Sequence, residues 1–376
     1  MSRIRFIPAV IGMAVVATLA AAPAELLAAP KLGSCPSFPA TAVFNTRVDD
    51  TQRYPTHASS SRWIGQLGSS TRFHADWGMT DDPTHWQDHW DKPYYGIPLN
   101  LIDSSAATTT WPVVSFKITD PRAGNGNGVP DESDCAATGK TTIKRGCDQL
   151  TASNRHFPYP NDNIIRAEHG TCNDAQQCGD RHVLVVEQDN CRLWESYFSY
   201  KVDGKWFAYS TAAWGLNSNK LRPMGWTSGD AAGLPISPFL ARVSEANSGV
   251  VAHALRVTLS SSRIHGVQWP ARHTTSGGPA DGIPYGTVMR LKSSFVIPAN
   301  WTTQAKALAT AMKRYGLYVA DIGSNFFVQG EPSAAWSSST ISQLQSITLA
   351  QMEFVDNSSL HDEPGFDPNS FANPRP

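Results

Sequence analysis

His182–Ser210 reads HVLVVEQDNCRLWESYFSYKVDGKWFAYS, three short runs of β-branched and aromatic residues separated by polar breaks. Alternation places His182, Leu184 and Val186 on one face of the first run and Val183, Val185 and Glu187 on the other. Gln188-Asp189-Asn190 and Asp203-Gly204 have the composition of hairpin turns, and successive hairpins favour antiparallel sheets. The same character extends outward to WPVVSFKI from Trp111, VVAHALRVTL from Val250 and VMRLKSSFVI from Val288. One helix is predicted after Thr302 or Thr303, with Ala305, Leu308, Ala309, Met312 and Tyr315 on one face and Gly316 as its stop. GLYVADI and NFFVQG, flanking Gly323-Ser324, then read as a further hairpin, followed by a short helix over 340–347. The expected fold is mainly β, an antiparallel β-sandwich or jelly roll with one flanking helix and long loops.

Around that core, residues 111–356, the chain divides into three further parts. Residues 1–29 carry Arg3 and Arg5, an alanine-rich apolar run and small-residue cleavage sites, the pattern of a secretory signal peptide. Residues 30–110 are rich in Pro, Thr, Ser, His and Trp and read as extended chain wrapped over the core. Residues 357–376 read as a flexible polar tail. A secreted or periplasmic protein is expected, with no membrane association after cleavage. The net charge of −1 gives no general reason to bind nucleic acid.

Six cysteines in an exported chain point to disulfides. Cys135 with Cys147 and Cys172 with Cys178 each bracket a short polar loop, which leaves Cys35 for Cys191. Metal ligation by cysteine is disfavoured, since no pair has the two-residue spacing of zinc sites.

Asn217–Pro238, NSNKLRPMGWTSGDAAGLPISP, has neither helical nor strand periodicity, and long ordered loops of this kind are commonly functional. It sets Trp226 near Asp230. Asp180 and His182 stand where a loop enters a buried strand, a plausible proton-transfer pair, although Asp180 also suits a turn cap. Arg272 and His273 follow Trp269 at a strand end, and Asp321 precedes a turn. Arg256, Arg290 and Lys292 alternate with apolar residues and would line one basic face if their strands were neighbours. His253 reads as a satisfied core residue. Upstream, Asp76 and Trp77 begin a stretch dense in His, Asp and Trp, in which His85 and His89 share a helical face and would, with a carboxylate, make a weak metal site.

Gly124–Asp134, GNGNGVPDESD, resembles the calcium loops of thrombospondin type 3 repeats, which implies a structural calcium, with an ordinary polar turn as the alternative. Two Asn in place of Asp lower the expected affinity. No other cofactor is called for.

The strings GDRHVLVV, LNSNKLRPMGWTSGDAAGLPI, HALRVT, WPARH, MRLKSSFVI and KRYGLYVADIGSNFFVQG together resemble a group of exported bacterial proteins. The resemblance covers residues 95–356 and brings no catalytic assignment with it. From the residues themselves, a secreted glycoside hydrolase acting on a polysaccharide or oligosaccharide is expected. Its carboxylates would come from Asp180, Asp230 and Asp76, with Asp321 in reserve. Trp226 and Trp77 would stack on sugar rings, while Arg272, His273 and His182 would orient substrate. A non-catalytic carbohydrate-binding or cell-surface protein is the alternative, and a metal-dependent hydrolase built on His74, His85, His89 or His182 a third.

Overall fold

Ten strands build the two main sheets: β1 (His74–Asp76), β2 (Leu99–Ile102), β3 (Val183–Glu187), β4 (Arg192–Tyr197), β5 (Ser210–Gly215), β6 (Leu255–Leu259), β7 (Val288–Leu291), β8 (Leu317–Ile322), β9 (Phe327–Gln329) and β10 (Met352–Val355). They are seen in a computed structural model that describes residues 29–78, 96–117, 127–137, 139, 142–170, 172, 174–275 and 277–375. The chain is mainly β. One sheet has the order β5-β4-β3-β2 and the other β10-β7-β8-β6-β9-β1. Val186 and Leu193 of the first share one apolar core with Leu255, Val257 and Val319 of the second. Val183, Val185 and Trp194 face a second core on the opposite side, so the smaller sheet is covered on both faces.

The antiparallel expectation needs correction, because both sheets are mixed. β3, β4 and β5 form the antiparallel meander, but β2 adds to β3 in parallel. In the larger sheet β6 runs parallel to β8, and β9 parallel to β1. GLYVADI and NFFVQG do not pair as a hairpin. β6 inserts between them, with Val257 opposite both Val319 and Val328. Every residue of β6 is buried, and a strand with no exposed face is best placed at the centre of a sheet.

The predicted helix spans Thr303–Arg314. Thr302 Oγ1 accepts from the Ala305 amide at 3.1 Å, and Gly316 ends the run in the left-handed region at φ 76°. The later short helix covers Ser338–Leu344. All three disulfides, Cys35–Cys191, Cys135–Cys147 and Cys172–Cys178, pair as read, which suits an oxidising compartment. No helix among the described residues is long and apolar enough to cross a membrane. The signal-peptide reading lies almost wholly outside the described residues, as do His85 and His89.

Two further corrections concern the ends of the chain. Residues 30–110 are not only extended wrap: they contribute β1, β2 and the helix Ser60–Leu67, whose Trp63, Ile64 and Leu67 face the core. The tail is docked rather than frayed. Phe371 is fully buried against Phe38 and Phe44, Ala372 bridges Ala42, and Arg272 Nη1 donates to the Pro368 carbonyl at 2.7 Å. Phe371→Ala should therefore cost about 3–5 kcal/mol in urea denaturation, the usual penalty for emptying a buried aromatic site. An unchanged midpoint would show that the tail is not part of the folded unit.

Candidate functional site

The aperiodic loop 217–238 is held to the sheets at several points. Arg222 is buried beneath it, with Nε on Asp134 Oδ2 at 2.8 Å, further bonds to the carbonyls of Thr227 and Glu132, and its guanidinium over the rings of Trp214 and Trp226. Ser210 Oγ donates to the Ser228 carbonyl at 2.7 Å, and Arg272 N donates to the Ala232 carbonyl at 2.8 Å. Gly233 turns at φ 69°, where a Cβ would meet the Trp226 carbonyl at 2.6 Å, so only glycine fits. The register of β6 on β8 skips Ala320, and this extra residue accepts from the Ala232 amide at 2.9 Å. Such a bulge bends the strand and re-aims its neighbours, here Asp321.

These constraints bring three of the candidate acids to one cleft. Asp180, Asp230 and Asp321 line a cavity of about 340 Å³, walled by Tyr197, Phe198 and Tyr209. A volume of that size falls within the range of small-molecule sites, about 300–1,000 Å³. Asp230 is only 2% exposed. Nη2 of the fully buried Arg256 lies 3.0 Å from Asp230 Oδ2 and 3.1 Å from Asp321 Oδ2, while its Nη1 donates to Gln329. The two carboxylate oxygens share one nitrogen and are thus no more than roughly 6 Å apart, below the inverting range of about 6.5–9.5 Å. Burial pushes the Asp230 carboxyl well above its usual range, with Arg256 opposing and Asp321 reinforcing the rise. Asp180, at the rim, accepts from Tyr197 Oη at 3.3 Å and is also raised, by desolvation first and then by the charges of Glu168 and Asp321 against that of His182.

His182 lies behind this wall rather than in it. Its Nδ1 is 2.7 Å from Glu168 Oε2, and its Nε2 donates to the Gly229 carbonyl at 2.7 Å. A carbonyl can only accept, so with a carboxylate on the other nitrogen the ring is held as imidazolium. Burial alone would lower the His182 pKa, but Glu168 outweighs it and raises it to about 9; burial would raise Glu168, yet His182 brings it down to about 2. For His182, the folded value above the ordinary 6.5 means stabilisation that is complete below 6.5 and lost as pH rises through 9. For Glu168 the depressed value means stabilisation present above 4.5 and lost as pH falls through 2. Glu168→Gln should therefore cost most between pH 4.5 and 6.5, on the order of 1–3 kcal/mol, with a smaller deficit above pH 9. Urea melts of both proteins across that range check it; a deficit that grew with alkalinity would contradict the pairing.

The remaining candidates fall elsewhere. Asp76 does not line the cleft: it sits on β1 and hydrogen-bonds Gln329, whose amide oxygen accepts from Arg256. Trp77 is 1% exposed and packs on Trp336 and Phe73, so it belongs to the core and offers no ring face to a sugar. Trp226 is half-buried over Arg222 and lies outside the cleft lining. Arg272 is buried, with Nε on the Arg222 carbonyl and Nη1 on Pro368, and it ties loop to tail instead of meeting substrate. His273 Nδ1 contacts the Ala231 carbonyl at 2.9 Å and supports the loop. His253 is a satisfied core residue between Ala254 O and Glu245. The basic face does not form, because β8 separates β6 from β7; Arg256 and Arg290 are both buried, the latter on Glu353 and the carbonyls of Val48 and Tyr54.

Gly124–Gly126 of the calcium-like string lie outside the described residues, and its final acid, Asp134, is enclosed by Arg145 and Arg222. Among the described residues no group of three or more His, Cys, Asp or Glu is placed to hold a metal ion. The cleft groups that sequence reading missed are Glu168, Tyr197 and Tyr209. Arg256 was read as part of a basic sheet face, and the structure instead buries it on Asp230 and Asp321. Comparison with protein-family models, with curated proteins and with solved structures gives no match to this chain.

Proposed function

We propose that the cleft hydrolyses glycosidic bonds of a polysaccharide or oligosaccharide. The observation that carries this reading is the pair Asp230 and Asp321, both on one arginine nitrogen and both facing one aromatic-walled cavity. Asp230, buried and raised, suits the general acid that gives its proton to the leaving glycosidic oxygen. Asp321, more open and ion-paired to Arg256, suits the carboxylate that assists attack at the anomeric carbon. Asp180 would hold sugar hydroxyls at the rim, and Tyr197 and Tyr209 take the stacking role first given to Trp226 and Trp77. The signal-like N-terminus and three disulfides support a secreted or periplasmic setting.

One observation favours non-catalytic carbohydrate binding instead. Both oxygens of Asp230 already accept hydrogen bonds, Oδ1 from the Ala232 amide and Oδ2 from Arg256, as a structural carboxylate would. A panel of polysaccharides incubated with the purified mature protein separates the two. Hydrolysis predicts new reducing ends from at least one member, whereas binding predicts retention on an insoluble member with none released.

A further inference from the structure

We propose that the sugar taken by this cleft carries a free, protonated amine, as a glucosamine unit does, in preference to neutral, N-acetylated or acidic sugars. The inference rests on the carbohydrate reading above and narrows its substrate class.

Three carboxyl groups, Asp180, Asp230 and Asp321, line the cavity, and among the described lining residues there is no Lys, Arg or His; with Asp230 carrying its proton and Asp321 paired to Arg256, Asp180 at the rim supplies the uncompensated charge. Two cationic groups close behind the wall are occupied. Arg256 is fully buried on Asp230, Asp321 and Gln329, and His182, 3% exposed, is neutralised by Glu168. Neither presents a donor to a ligand's carboxylate. A larger cavity, of about 480 Å³, shows the contrast: its lining includes Lys31, Arg166 and Arg242 beside the single acid Glu331. With a net charge of −1 over the whole chain, the acidity of the cleft is a local arrangement and not a reflection of composition.

The walls add a second recognition element. Tyr197 and Tyr209 meet edge to face with centroids 5.8 Å apart, and Phe198 adjoins Tyr197 at 6.1 Å, so the acids stand beside a corner of aromatic rings. Carboxylates with aromatic faces are the combination that selects ammonium groups, through Coulomb attraction and cation–π contact together. A metal ion is a poorer fit, since the acids are not grouped closely enough for ligation among the described residues. A uronic or sulfated sugar would place like charges together in a partly desolvated space, which disfavours it.

Calorimetric titration with four tetrasaccharides tests this: glucosamine, N-acetylglucosamine, cellotetraose and galacturonate tetramers, at pH 6 and low salt. The glucosamine tetramer should bind at least about tenfold more tightly than the others, roughly 1.4 kcal/mol. Added salt should shrink the difference. Asp180→Asn, at the exposed rim, should lose most of the preference, read as the ratio of glucosamine-tetramer to cellotetraose affinity. Equal or tighter binding of the neutral or galacturonate tetramers, or a preference untouched by both Asp180→Asn and Asp321→Asn, would overturn the inference. Reducing ends counted in the same samples keep its fate apart from that of the hydrolase reading. Release from cellotetraose without amine preference sinks the inference alone. Amine-selective binding with no release from any tetramer upholds the inference and sinks hydrolysis.

Discussion

Arg256→Met is expected to destabilise the protein by about 3–5 kcal/mol, the usual consequence of removing one partner from a buried ion pair. Arg256 is fully buried at the centre of the larger sheet and is the cation that faces Asp230, itself 2% exposed. Methionine fills much of the same volume, so the loss would come from charge and not from a void. It leaves Asp230 and Asp321 facing each other across an apolar residue, and at neutral pH one of them must either stay ionised without its partner or take up a proton. The double variant Arg256→Met with Asp230→Asn should recover a large part of the loss, since it removes the fully buried carboxylate and leaves only the more open Asp321 without its partner. Urea denaturation of the wild type and both variants reads this directly. A single-variant loss below about 1 kcal/mol, or no recovery in the double, would mean that Arg256 does not organise the cleft.

The second large effect concerns rate. Asp230→Asn and Asp321→Asn should each lower kcat/KM by about 10²–10⁴-fold, the range associated with loss of a general acid or base. Asparagine keeps the shape of either side chain and an oxygen for Arg256, so the folds should persist. Asp76→Asn provides the internal comparison. Asp76 touches Gln329 and does not line the cleft, so its loss should cost less than about tenfold. Equal effects at Asp76 and Asp230 would point to general damage rather than to chemistry.

How far the sequence alone reached depended on the range of the interactions involved. The β3–β4 hairpin was legible because Val183–Glu187 alternates and the polar turn after it is local. The cystine pairs Cys135–Cys147 and Cys172–Cys178 were legible for the same reason, as each closes a short loop. The insertion of β6 between β8 and β9 was not, because residues about 60 to 70 positions apart outcompeted the adjacent hairpin partner. Asp180, Asp230 and Asp321 were found as loop and strand-end acids, but that they share a cleft depends on the bulge at Ala320 and the anchoring of Arg222, which no local pattern reveals. Trp77 misled because an indole in the core and an indole on a sugar platform look alike until what covers them is known. Phe371 was overlooked because the tail around it is polar and rich in Pro and Asn. Arg256 has the same alternation a solvated arginine would have, and only the burial of both faces of β6 turns it into the keystone of an acidic site.

The central claim is that Asp230 and Asp321 make a hydrolytic pair and not merely a buried brace. Reducing-end release from the best substrate of the polysaccharide panel, measured side by side with binding for wild type and Asp230→Asn, tests it most directly. The account predicts that the two proteins bind the substrate alike and that the variant releases reducing ends at least about 100-fold more slowly. Binding by the wild type with no release, or release by Asp230→Asn at the wild-type rate, would contradict it.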